Sequence, residues 1–258
     1  SVEHLKYKWG GLISLSWKMA LSQTDILTGI SNFLLNMAKD KGFSGHSVLI
    51  PNGVDVPLFT KEIDEETRKK VKLNLGKRDG DIFLVTTSRL SYKNGLDDVI
   101  FALKDLPENF HFIVIGKGEE GNNLQKLADK LSIKTRVKFL GFVNYKDIPD
   151  YLSVCDIFIR PSRSEGFGNS FIEAMARGLP VIATPVGGIV DFLSDGETGV
   201  FCSPDNPRSI IKAVETLRDV SFKEKIVNNA KKMVIEKYSW DKIAVDMKEK
   251  VFELFRAV

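Results

Sequence analysis

Four charged residues in two loops carry the strongest chemical signal in this 258-residue sequence. Glu165 and Glu173 lie in IRPSRSEGFGNSFIEAMA, which runs from a short apolar run through a glycine-rich loop into a helical pattern. Gly166 and Gly168 let a backbone come close to a ligand. Asn169 or Ser170 is expected to cap the helix, leaving its first amides and the positive end of its dipole facing the loop. Such an arrangement binds anions. With Glu165 in the loop and Glu173 about one turn into the helix, both carboxylates can face one ligand. An ionised carboxylate only accepts hydrogen bonds, which suits neighbouring hydroxyls such as a ribose diol or a sugar ring edge. Carboxylates beside an anion site are costly without cations. Arg89 and Lys93, in SRLSYKNG directly after the run IFLVTT, could supply the charge and clamp a diphosphate, Arg as a fork and Lys as a point charge. The plainer reading makes Glu173 a solvent-exposed helix residue, Glu165 a first-turn stabiliser and Arg89 and Lys93 ordinary surface-loop cations. Taken together, the two loops favour the ligand.

Gly116-Lys-Gly118-Glu-Glu-Gly121 matches the dinucleotide fingerprint GxGxxG. It follows the third apolar run rather than the first, and the next strand ends without an acid for a ribose. Glu119 and Glu120 would also face the phosphates. A strand-to-helix turn is therefore expected there, with a dinucleotide-dependent oxidoreductase as the alternative it leaves open. Pro185-Val-Gly-Gly188 is expected to line the same cleft as Glu165. His4, His46 and His111 show no metal-ligand spacing, and no Ser/His/Asp arrangement or nucleophile elbow is visible.

The elements that must position these loops alternate. Short apolar runs occupy residues 47–50, 82–87, 110–115, 137–140, 157–159 and 181–184. Helix-period segments lie between them at 96–106, 124–131, 148–154 and 170–177. Near-continuous β-branched runs suit strands buried on both faces, and the alternation predicts a doubly wound α/β domain, a parallel sheet with helices on both faces, from Ser47 to about Asp205. In such sheets ligands bind beyond the carboxyl ends of the strands, where both loops fall.

Residues 1–45 read as a long helix over 3–22, a strand over 26–29 and a helix capped by Ser31 that ends at Gly42. One strand cannot bury a core, so this is either an extension or the end of another domain. PNGVDVPLFT (residues 51–60) reads as a turn-rich linker, and after Asp205 only helical patterns follow, at 210–218, 222–238 and 240–255. The last is amphipathic through Ile243, Met247, Val251 and Leu254, and core packing is the expected use of that face. Composition is that of a globular chain: 43% hydrophobic, 28% charged and a net charge of +3. That charge does not point to nucleic acid, and no apolar stretch approaches the ~20 residues of a membrane span. Two cysteines, Cys155 and Cys202, read as reduced, buried and cytoplasmic.

With these residues in hand, the chain resembles the retaining glycosyltransferases of family 4, which have the GT-B architecture of two facing Rossmann-like domains. Glu165 and Glu173, with seven residues between them, match that family's E-x7-E signature. Arg89 and Lys93 are similar to its basic pair, although the commoner spacing puts the Lys where Asn94 stands here. PNGVD resembles its interdomain linker and SWDKIAVDMKEKVFELF its final crossing helix. The resemblance implies that residues 1–45 end an acceptor-side domain and that 46–60 are a strand and linker. Residues 61–238 are then the nucleotide-sugar-binding domain and 239–258 the crossing helix. It further implies that Glu173 holds the ribose, Arg89 and Lys93 the diphosphate, amides of Phe167, Gly168 and Asn169 the donor, Glu165 the donor sugar and the backbone at Val143 the base. The donor is expected to be a UDP- or GDP-sugar, with no metal or further cofactor. The expected acceptor is a saccharide or lipid-linked saccharide, met at the inner face of the membrane through the acceptor-side domain. A non-catalytic nucleotide-binding module remains the other alternative.

Overall fold

A computed structural model describes residues 12–253 of the chain. The first part is a small layer: α1 (Leu12–Ser22), β1 (Ile26–Gly29), α2 (Asn32–Asp40) and β2 (His46–Leu49). Ser31 caps α2 as expected, its hydroxyl accepting from the Leu34 amide at 3.3 Å. The expected helix over 3–22 is seen from Leu12 onward, and its earlier part lies outside the described residues. β1 and β2 pair in parallel, Ile26 opposite His46. The run at 47–50 therefore belongs to this small sheet and not to the main one, contrary to the sequence reading.

The main domain follows through α3 (Val56–Thr60) and α4 (Glu65–Leu75), two helices not anticipated from the sequence. It continues as β3 (Ile82–Thr87), α5 (Leu96–Asp105), β4 (Phe110–Ile115), α6 (Gly121–Lys130), β5 (Val137–Gly141) and α7 (Ile148–Leu152). Then come β6 (Ile157–Arg160), α8 (Asn169–Arg177), β7 (Val181–Ala183), β8 (Val200–Phe201), α9 (Pro207–Thr216), α10 (Val220–Lys237) and α11 (Trp240–Met247). The six strands β3 to β8 form one parallel sheet in the order β5-β4-β3-β6-β7-β8.

Alternate residues of each strand feed opposite faces, so the strands are apolar throughout. Phe83 and Val85 enter one core with Phe158, Phe171 and Met175, while Leu84 enters the other with Val114, Ile159 and Ile210. Helices thus cover both faces. The strand order reverses between β3 and β6, and the crevice at that switch point lies between the loops of Arg89 and Glu165.

α11 continues as a wider π turn over Lys248–Phe252. Its Ile243 and Val251, with Met247, pack on Ile50, Val48 and Ile26 of the small layer, so core packing takes that apolar face. Leu254 lies outside the described residues. The linker runs beside the junction of α10 and α11, the Val54 amide donating to the Tyr238 carbonyl at 2.8 Å. Cys155 and Cys202 are buried and unpaired. No helix among the described residues is long and apolar enough to cross a membrane.

Candidate functional site

Beyond the carboxyl ends of β3, β4 and β5 opens a cleft of about 520 Å³, lined by Ser88, Arg89, Lys117, Val143, Asn169 and Glu173 among others. α8 starts at the back of it. The residue in the cap position is Gly168, with a left-handed backbone (φ +95°), and no side chain caps the helix. Neither Asn169 nor Ser170 has the capping role expected of them. Asn169 instead accepts from the side chain of Asn52 at 3.0 Å, tying the linker to the site. Of the first-turn amides, that of Phe171 donates to the Gly168 carbonyl at 3.1 Å, while Asn169 and Ser170, whose amides no earlier helical carbonyl can reach, line the cleft. The Phe167 ring is buried against Phe192 and Tyr238, and the residue as a whole is buried and does not line this cleft.

The two glutamates have different surroundings. Glu173 lines the cleft, and burial pushes its carboxyl up to about 7, against the hydrogen bond from the Tyr145 hydroxyl and the positive charge of Arg160. Burial and the adjoining Glu173 in turn raise the Tyr145 hydroxyl above its usual range. Glu165 is held by the fold: its Oε2 accepts from Arg160 Nη2 at 2.7 Å and its Oε1 from its neighbour's amide at 2.9 Å. The loop beneath it is braced by residues 185–188. A Cβ at Gly187 (φ +58°) would stand 1.8 Å from the Glu165 carbonyl oxygen, so only glycine allows this contact. That loop stays with Glu165, the Gly188 amide donating to the Glu165 carbonyl at 3.1 Å, and neither is among the residues lining the Arg89 cleft.

The cation serving the glutamates is Arg160, not Arg89 or Lys93 as the sequence reading had it. Arg160 ends β6 with its side chain buried, which depresses its pKa despite the nearby Glu165 and Glu173. It donates to Ser170 Oγ at 2.8 Å, and its guanidinium lies 4.2 Å over the Phe171 ring. Its Nε, also buried, has no partner. An arginine closing a buried strand requires an acid within reach, and Glu165 five residues on was the available signal.

Arg89 is exposed at the cleft and pairs with Glu119 at 3.3 Å. Lys93 stands in the turn Tyr92–Asn94, exposed and outside the cleft lining. That turn is locked to the β6 loop through Arg163, whose amide donates to the Lys93 carbonyl at 2.7 Å and whose guanidinium binds Asp97. Asn94 is buried and donates to the Arg89 carbonyl. Gly116 and Gly118 press on the carbonyls of Ser88 and Leu90, where a Cβ would meet oxygen at 1.9 and 2.2 Å. The fingerprint glycines are therefore used in packing two loops together, not in cradling a pyrophosphate. Among the described residues no cluster of His, Cys, Asp or Glu could hold a metal ion.

Residues 67–244 match the family described as Glycosyl transferases group 1. The chain is 35% identical over 199 residues to an uncharacterized glycosyltransferase of Methanocaldococcus jannaschii, covering 76% of this chain and 51% of that protein. It is 30% identical over 236 residues to a GDP-mannose-dependent phosphatidylinositol monomannoside mannosyltransferase of Corynebacterium glutamicum, covering 85% of this chain and 60% of the relative. The chain thus spans between half and two thirds of the length of these relatives. Among solved structures, HepE of Anabaena in complex with UDP-glucose superposes with a TM-score of 0.84 at 24% identity, covering 98% of this chain and 70% of that one. Sucrose-phosphate synthase of Thermosynechococcus elongatus gives 0.85 at 22%, covering 98% and 64%. The fold is that of the GT-B glycosyltransferases, and the chain belongs to the group 1 glycosyl transferases.

Proposed function

We propose that this chain is the donor-binding half of a retaining hexosyltransferase that takes its sugar from a nucleoside-diphosphate sugar and serves glycan or polysaccharide synthesis. The observation that carries the reading is the convergence of Arg89, Glu173 and the first turn of α8 on one cleft at the switch point of the sheet. Glu173 suits the ribose diol, and the backbone at Val143 the base. Arg89 takes the diphosphate and amides of Phe167, Gly168 and Asn169 complete the cradle, whereas Lys93, the second cation on the family pattern, stands outside the cleft lining. Arg160 holds Glu165 oriented toward the donor sugar's hydroxyls. UDP or GDP is the expected donor nucleotide, in keeping with the UDP-glucose complex and the GDP-mannose-dependent relative. The acceptor is proposed to be a saccharide or lipid-linked saccharide.

In the transfer, the bond between the anomeric carbon and the distal phosphate oxygen breaks, its electron pair leaving with the diphosphate. The acceptor oxygen bonds to the same face of that carbon, and the acceptor proton passes to the departing diphosphate. Arg89 and the helix amides stabilise the charge growing on the leaving group, which is preorganised electrostatics without a covalent intermediate. In the whole enzyme, Arg89→Ala and Glu165→Ala should each lower turnover by roughly 10²-fold or more. Full activity of Arg89→Ala would overturn the diphosphate assignment.

A further inference from the structure

The Gly116-Lys-Gly118 turn is the one sequence motif that the donor-site assignment leaves without a purpose, and the structure places it against the Arg89 loop. β3 and β4 pair with Thr87 opposite Ile115. That alignment continues past the strands, the Ser88 amide donating to the Ile115 carbonyl and the Leu90 amide to the Lys117 carbonyl, both at 3.0 Å. Continuing the register sets Arg89 beside Lys117, and the two glycines flanking Lys117 are what let the turn lie so close. The Lys117 side chain runs along Gly141, at the end of β5 and next to the Val143 segment. Both cations line one cleft from neighbouring loops, and Glu119 pairs with Arg89 only. Like charges so placed repel unless an anion lies between them. Meanwhile Asn94, neutral and buried, fills the slot next to Gly95 and braces the Arg89 backbone.

We propose that Lys117, and not Lys93, is the second cation for the donor's diphosphate in this chain. The inference rests on the donor-site reading above. Lys117 is exposed, and the bond that holds its turn is made by its carbonyl and not its side chain, so removing the side chain leaves the turn intact. The test is calorimetric titration of the chain with UDP, GDP and the corresponding nucleosides, for wild type, Lys117→Ala, Lys117→Arg and Lys93→Ala, at two salt concentrations. Lys117→Ala should weaken the bound diphosphate by about tenfold, the order of one charge-assisted contact, and flatten its salt dependence. Nucleoside binding should not change, Lys117→Arg should restore most of the loss, and Lys93→Ala should stay within about twofold of wild type. Equal weakening of diphosphate and nucleoside by Lys117→Ala would make Lys117 a base contact and overturn the inference. A larger loss in Lys93→Ala, or no loss in Lys117→Ala, would overturn it while leaving the donor site standing. Absence of diphosphate binding by wild type would overturn the donor-site reading and this inference with it.

Discussion

Replacing Glu173 by Gln should make the protein more resistant to unfolding at alkaline pH and leave it nearly unchanged in acid. Burial raises the folded-state carboxyl from its ordinary 4.5 to about 7. The folded chain therefore holds this proton more tightly than the unfolded chain. The stability it contributes is fully present below about pH 4.5 and is lost as pH rises through about 7. The whole interval is worth about 3 kcal/mol, of which roughly 2.5 kcal/mol falls between pH 5 and pH 8.5. Gln keeps the shape and an acceptor for Tyr145 but has no charge to bury. Urea unfolding of wild type and Glu173→Gln across that range should show the difference growing in favour of the variant, by one to a few kcal/mol in all. Saturating nucleotide, by engaging the ionised form, should shrink it. A difference independent of pH would refute the reasoning, since it would mean the carboxyl is already ionised at pH 5 or is not buried in the folded chain.

Arg160→Met removes the partner of Glu165 and Ser170 and leaves an uncompensated buried carboxylate. A loss of about 3 kcal/mol or more is expected near neutral pH, read by chemical denaturation, with a smaller loss in Arg160→Met combined with Glu165→Gln. Gly187→Ala forces a methyl onto the Glu165 carbonyl and a side chain into a left-handed backbone. It should weaken nucleotide-sugar binding more than nucleotide binding, by titration with each, because the displaced loop carries Glu165, the residue proposed to face the sugar.

Much of the fold was legible because apolar runs buried on both faces have a plain signature. β3 and β4 fall at the expected residues, and α5 and α8 within a residue. What was missed depends on contacts remote in sequence. β2 has the composition of a main-sheet strand, and only its pairing with β1 assigns it elsewhere. β8, two residues long, has no periodicity to read, and α4 is too polar to stand out. In the site, loop chemistry pointed to Glu173 and Arg89, and both line one cleft. Arg160 reads like a surface residue at a strand end until Glu165 folds back onto it. Tyr145 reaches Glu173 across a loop junction that no local spacing marks. Lys93 illustrates the converse: it follows Arg89 by four residues in the same loop, but it does not line the cleft.

The most direct test of the central claim is calorimetric titration of the chain with UDP, GDP, ADP and NADH, in parallel with Glu173→Ala. Saturable binding of one nucleoside diphosphate, weakened about tenfold or more by the substitution, is the predicted result, with no heat from NADH. Binding of NADH, or diphosphate binding indifferent to Glu173, would contradict the assignment of this cleft to a sugar nucleotide.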